Sequence, residues 1–242
     1  MAKKPRATGL TMIGFLTYNV QYGKKIEEIY DWIIALEYKP NIICFQEFPQ
    51  KEIRNIKKIK IFENTGLDFA KSFEYENKQL GELTIFDQDK IKLLKSKKIN
   101  LGNDFIETKL RKDPVTRSAI LTEFEIGNLK ITIANLHLTP VSLNNKRRNQ
   151  LFRVIGKIKN DKAIIAGDFN YPSIVGRKGL INFMEKHGYR LAGENLITHR
   201  YQYVIPQQLD YVFYKGLVIS EAKVIPLPYS DHYPVIAKLK ID

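Results

Sequence analysis

Cysteine is nearly missing from this chain: Cys44 stands alone among 242 residues. A single thiol excludes an intrachain disulfide and a cysteine-rich metal site, and it argues against a disulfide-stapled secreted domain. Long apolar runs are missing as well. The basic start Met1-Ala2-Lys3-Lys4-Pro5-Arg6 leads into no apolar stretch of signal-peptide length. Thr11–Val20 is too short and too interrupted to span a membrane. These absences predict a soluble, cytoplasmic protein without a membrane anchor. Acidic residues are scarce, 26 Asp plus Glu against 39 Lys plus Arg, which leaves a net charge of +13. That excess excludes little chemistry but suits a polyanionic partner, such as nucleic acid or an anionic membrane surface. Low-complexity linkers and short repeats are also lacking. The chain therefore reads as a basic tail over 1–10 and a single domain over 11–242, expected as a monomer.

What is present is a succession of apolar segments. Thr11–Val20 reads as a strand, and Lys24 to Lys39 as a helix with Ile26, Ile29, Ile33 and Ile34 near helical spacing, stopped by Pro40. Asn41–Phe48 is a continuous apolar run suited to a buried strand. Gly81–Asp87, Ile91–Ile99, Arg117–Ile126 and Leu129–Leu138 read as further strands, the last two joined by a hairpin at Gly127-Asn128. A helix is expected over Asn145 to Lys159, a strand over Lys162–Asp168 and a short helix over Gly179–His187. Strands over Gln208–Tyr214 and His232–Ile241 close the chain. Strands in two stretches, each bracketed by helices, suggest an α+β layered arrangement of packed sheets.

Several apolar runs end unusually. Ile42-Ile43-Cys44-Phe45 runs into Gln46-Glu47, Ile131 to Leu136 into His137, and Ala163 to Gly167 into Asp168-Phe169-Asn170. A buried strand seldom ends in an unpaired carboxylate, because desolvating that charge is costly. Strand ends opening on one cleft explain the pattern, and carboxylate and amide oxygens suit a hard cation such as Mg²⁺. Taken singly, each residue has a plainer reading. Glu47 could be a solvated strand end, His137 a hydrogen-bonded core histidine, Asp168 with Asn170 an Asx-turn, and Asp231-His232 a cap. Together, such coincidences in one chain favour a site.

Thr17-Tyr18-Asn19-Val20, Gln46-Glu47, Asn135-Leu136-His137-Leu138, Gly167-Asp168-Phe169-Asn170, Leu209-Asp210-Tyr211-Val212-Phe213 and Ser230-Asp231-His232-Tyr233-Pro234 resemble, in order, the motifs of the endonuclease/exonuclease/phosphatase superfamily typified by deoxyribonuclease I. The resemblance implies a four-layer α/β sandwich of two packed mixed sheets flanked by helices. It implies Glu47 as the main Mg²⁺ ligand, with Asn19 and Asp231 as direct or water-mediated ligands, Mn²⁺ being able to substitute. It further implies His232 oriented by Asp210, Asp168 orienting or deprotonating the attacking water, and Asn170 and His137 on non-bridging phosphate oxygens. Whether Asp168 or His232 is the base stays open. Arg117 resembles a family arginine near the phosphate, with a surface arginine as the competing reading.

Departures from subgroup patterns narrow the expectation. Gln207-Gln208 stands where abasic-site endonucleases carry Trp-Arg, and Leu209-Asp210-Tyr211 where inositol phosphatases carry Cys-Asp-Arg. A generic intracellular member, of bacterial type, remains. Lys146-Arg147-Arg148 shortly after His137, and Arg200 before Asp210, are expected to grip flanking phosphates of DNA or RNA. Lys51 to Lys60, Arg177-Lys178 and Tyr201 with Tyr203 add basic and aromatic character, although lysine-rich helices are often merely solvated. The expected activity is a Mg²⁺-dependent nuclease. Its competitors are a phosphatase or phosphodiesterase of small-molecule, lipid or inositol phosphates, and an inactive binding module.

Overall fold

The computed structural model describes residues 12–56, 59, 62–103, 105–111, 115–201 and 205–241. Its elements run β1 (Met12–Asn19), α1 (Ile26–Ala35), β2 (Ile42–Pro49), α2 (Ile53–Ile56), β3 (Thr65–Tyr75), β4 (Lys78–Asp87), β5 (Ile91–Asn103), α3 (Phe105–Arg111), β6 (Thr116–Ile126) and β7 (Leu129–His137). There follow α4 (Asn144–Ile155), β8 (Ala163–Asp168), α5 (Ile174–Lys186), β9 (Arg190–Leu191), β10 (His199–Tyr201), β11 (Ile205–Gln207), β12 (Asp210–Lys215), β13 (Val218–Val224) and β14 (Val235–Lys240). The basic tail, Lys57, Lys58, Lys60 and Tyr203 lie outside the described residues.

Two six-stranded sheets form, in the orders β13-β14-β1-β2-β4-β3 and β5-β6-β7-β8-β12-β9. Each holds one parallel pair, β1 with β2 and β7 with β8, among antiparallel neighbours. Period-two alternation sorts side chains between faces. Ile13 and Phe15 of β1, Ile131 and Ile133 of β7, and Ile164 and Ala166 of β8 share the core between the sheets. Leu16 and Tyr18 turn outward to pack with Ile29, Tyr30 and Ile33 of α1. Ala134, Leu136 and Ile165 turn outward to pack with Leu151 and Val154 of α4 and Leu180 and Met184 of α5. The layers are helix, sheet, sheet and helices, the four-layer sandwich expected from the sequence.

The central strands match the expected ones to within a few residues. Five strands lacked a legible pattern: the short β9, β10 and β11, together with β3 and the edge strand β13, no residue of which is fully buried. Helix α5 starts at Ile174 instead of Gly179, because Ser173 caps it by accepting from the Gly176 N–H at 3.0 Å. Midway through the sandwich the sheets are clasped by amides. Gln46 Nε2 donates to Asn135 Oδ1 at 2.8 Å and to Thr17 Oγ1 at 3.0 Å, while Asn135 Nδ2 donates to the carbonyls of Phe45 and Leu83 at 3.1 and 3.0 Å.

Candidate active site

The inward-facing row of each central strand turns polar at one end of the sandwich. Asn19 continues the row of Ile13 and Phe15, His137 that of Ile133 and Asn135, and Asp168 that of Ile164 and Ala166. The antiparallel neighbours contribute from their starting ends: Asp210 lies opposite Asp168 on β12, and Asp231 and His232 precede β14. Glu47 would point outward if β2 kept its alternation. A register shift between Phe45 and Phe48, with Glu47 at φ 54°, re-aims it toward the mouth, where its Oε1 lies 3.9 Å from His137 Nδ1.

Asp168 is the hub. Its Oδ2 accepts from Asn19 Nδ2 at 3.2 Å and lies 3.4 Å from His137 Nε2 and 3.8 Å from His232 Nε2. Its Oδ1 accepts the Asn170 N–H at 3.0 Å, and Asn170, at φ 55°, donates its amide to the Leu138 carbonyl. His232 Nδ1 pairs with Asp210 Oδ2 at 2.7 Å, which leaves Nε2 facing the mouth. Asp210 is anchored by its own N–H donating to Thr198 Oγ1, and Ser230 Oγ ties the His232 loop to the Asn19 carbonyl at 2.8 Å.

The charges follow from burial. Desolvation pushes the Asp168 carboxyl up to about 7, a rise that Asp210 and Glu47 reinforce and that His232 and Asn19 oppose. Burial likewise holds Glu47 above the usual carboxylate range, against the pull of Arg117 and His232. For His232 burial acts downward, but Asp210, Asp168 and Asp231 outweigh it and hold the imidazole up to about 10. His199, its ring tilted against His232 with centroids 4.7 Å apart, is pushed down by burial and by that neighbouring cation.

This donor set fits a divalent cation. Glu47, Asp168, Asp210 and Asp231 bring four carboxylates to one mouth, and the buried Asp210 Oδ1 has no hydrogen-bond partner. Glu47 and Asn19 offer oxygens of the kind a hard cation takes, with Asp231 near enough to raise the Glu47 carboxyl. A second grouping mixes nitrogen and oxygen: ligand atoms of His199, Asp231 and His232 lie within 4.8 Å of one another.

The basic residues divide differently from expectation. Arg117 is no surface arginine but fully buried; its Nη1 reaches His137 Nδ1 at 3.1 Å, its guanidinium lies over Phe73, and Glu107 of α3 binds its Nε at 3.1 Å and its Nη2. Glu107 was missed altogether, since nothing in a short exposed-looking helix marks one buried carboxylate. Arg147 is not a rim residue. It is buried, with Nε on the Thr139 carbonyl at 2.8 Å, Nη1 on Asn144 Oδ1 and Nη2 on the Pro140 carbonyl, so it pins the turn after β7. Lys146 donates to the Asn103 carbonyl at 2.9 Å, Arg148 is half-buried against Gly179 of α5, and Arg200 is exposed beside the Asp231 loop.

A sequence model of the Endonuclease/Exonuclease/phosphatase family matches residues 16–232. The chain belongs to this family. Family membership makes it a hydrolase fold for phosphate esters, of a kind that generally works with a divalent metal. An endonuclease/exonuclease/phosphatase protein from Bacteroides thetaiotaomicron superposes with a TM-score of 0.75 at 16% identity, covering 96% of each chain. D. rerio TDP2 complexed with a single-strand DNA product gives 0.71 at 13% identity, over 96% of this chain and 100% of that one. A mannosyl-6-phosphatase from Bacteroides thetaiotaomicron gives 0.70 at 16%, over 95% and 100%. In sequence, a UPF0294 protein of Erwinia tasmaniensis is 30% identical over 133 residues, 52% of this chain and 48% of its own length. The chain thus spans about half the length of the curated relatives it matches. Among the described residues no helix is long and apolar enough to cross a membrane.

Proposed function

We propose that this family member hydrolyses phosphodiesters with a divalent cation, Mg²⁺ with Mn²⁺ able to substitute, and that nucleic acid is its substrate. The observation that carries the reading is the convergence of Glu47, Asp168, His137 and the Asp210–His232 pair, from both sheets, on one mouth. A cation there would draw charge from the phosphate and acidify water. Glu47 would hold it, with Asn19 and Asp231 alongside. In this reading the two titrating groups take different roles. His232, kept cationic by its three carboxylate neighbours, offers Nε2–H to a phosphate oxygen. Asp168, raised to about 7 and 3.8 Å from that nitrogen, is the group able to take a proton from water near neutral pH. Arg117, fixed by Glu107, fixes His137 in turn, so that His137 and Asn170 can face non-bridging oxygens.

The net charge of +13 supports nucleic acid, as does the likeness to a protein solved with single-strand DNA. One observation favours a second reading, a smaller or lipid-borne phosphate ester: the guanidinium of Arg147 is spent on backbone carbonyls and cannot reach flanking phosphates. Supercoiled plasmid incubated with Mg²⁺ or with EDTA separates the two. Mg²⁺-dependent nicking that disappears in Glu47→Gln and Asp168→Asn is the expected result. Intact plasmid alongside Mg²⁺-dependent hydrolysis of a chromogenic phosphodiester would transfer the site to the second reading, and no hydrolysis of either would overturn both.

A further inference from the structure

Three helices begin or lie beside the catalytic mouth, and each shows large apolar side chains to solvent where folding alone would place polar ones. In α3 the burial is inverted: Phe105, Ile106 and Leu110 are exposed, while Glu107 is buried against Arg117. Leu143 occupies the N-cap position of α4, 77% exposed and making no side-chain cap, where Ser, Thr, Asp or Asn would stabilise the helix by about 1 kcal/mol. Ile174 and Val175 open α5 at 76% and 82% exposed, and neither packs into a core cluster.

These residues lie along one rim. Lys146 Nζ on the Asn103 carbonyl ties the start of α4 to the residue two before α3, and Tyr171 Oη on the Asn144 carbonyl at 3.3 Å ties it to the approach to α5. Leu143 follows His137 by six residues and Ile174 follows Asp168 by six, which keeps each within about 20 Å of the mouth along the chain. Its charge has one sign. Lys109 lies one helical turn beyond Phe105, and Lys178 one turn beyond Ile174, both exposed. Among the described residues of 105–110, 139–150 and 171–180, the only acid is the buried Glu107.

We infer that this rim docks the protein on an anionic lipid bilayer, a role beyond the activity proposed above. Aliphatic side chains interleaved with cations suit insertion at the acyl–headgroup boundary, with lysines on anionic headgroups. Nucleic acid would call for aromatic faces to stack on bases, and only Phe105 of the six apolar residues supplies one. A second copy of a chain carrying +13 would bring like charge to like charge.

Cosedimentation of the full chain with sucrose-loaded vesicles tests this without any catalytic readout. Binding is expected to vesicles of phosphatidylglycerol mixed into phosphatidylcholine, and to fall about tenfold in a Leu143→Ser, Ile174→Ser, Val175→Ser variant. Lys109→Glu with Lys178→Glu should remove the preference for phosphatidylglycerol over pure phosphatidylcholine. Unchanged melting and unchanged hydrolysis of a water-soluble chromogenic phosphodiester would show both variants folded with the site intact. No cosedimentation, or cosedimentation equal in the rim variant, overturns the inference. So does loss of single-strand oligonucleotide binding, or of a dimer at sedimentation equilibrium, in a rim variant that still binds vesicles as well as the parent.

Discussion

Two polar clusters are buried between the same two sheets, a few residues apart along the same strands, and they are built on opposite terms. In the clasp, Gln46 and Asn135 are neutral: both amide hydrogens of Asn135 find carbonyls, while Gln46 Oε1 goes without a hydrogen bond. At the mouth, Glu47, Asp168 and Asp210 are acids set among too few donors, with one Asp210 oxygen lacking a hydrogen bond and two carboxyls raised by burial. The clasp costs the fold little and holds it together. The mouth costs the fold stability and can recover it only from positive charge, whether a cation or the imidazolium of His232. A buried polar group therefore says little about function until its charge balance is drawn up.

That contrast can be broken at several points. The largest effect falls on chemistry: Glu47→Gln and Asp168→Asn should each lower phosphodiester turnover by about 10³-fold or more while melting no earlier than the parent at pH 8, because each removes a crowded charge. Earlier melting would mean that these carboxylates stabilise the fold, which would erase the difference between the clusters. Asp210→Asn should lower turnover about 10²-fold and move the His232 titration, followed by imidazole NMR, down from its raised position near 10. In the clasp the order reverses. Asn135→Leu should cost about 2 kcal/mol in urea unfolding, by stranding Gln46 and two carbonyls, and leave turnover of the folded fraction within a few-fold.

A smaller effect is a shift in pH dependence. Asp168 must lose its proton to serve as base, so turnover should rise as pH passes about 7. Added Mg²⁺ favours the ionised carboxyl and should move that limb to lower pH, whereas a limb insensitive to Mg²⁺ would place the cation away from Asp168. The smallest concerns Glu82, a third setting in which Ser72 donates to both oxygens of a buried carboxyl, at 2.8 and 2.9 Å, and Ser118 also donates. Burial still raises it from 4.5 to about 7, against those hydroxyls and Arg117. Its proton is held more tightly folded than unfolded, so its contribution to stability is complete below about pH 4 and declines as pH rises toward 7. Glu82→Gln should remove that part of the decline, a gain at pH 8 and none at pH 4 by denaturant titration.

The sequence showed the mouth better than it showed the clasp or the supports. Apolar runs that stop at Glu47, His137 and Asp168 are visible because a charge at the end of a buried strand breaks a one-dimensional pattern. Gln46 and Asn135 sit inside such runs, and their pairing crosses from one sheet to the other, which no local pattern reports. The same reason hid Glu107 and left Arg117 between two readings: ten residues apart, they meet only because α3 folds back over the start of β6. Arg147 misled because a basic triplet after a strand looks like a solvent-facing grip, and only the turn at Thr139-Pro140 shows its guanidinium directed inward. Strands β3 and β13 escaped for a simpler reason, having interrupted or exposed apolar faces.

The backbone at Glu47 has a further consequence. A φ of 54° is a conformation that glycine and asparagine enter with less strain than glutamate does. Glu47→Asn or Glu47→Gly should therefore relax the backbone while taking the carboxylate away from the mouth. A variant of either kind that melts later than the parent would measure the strain held at this bulge.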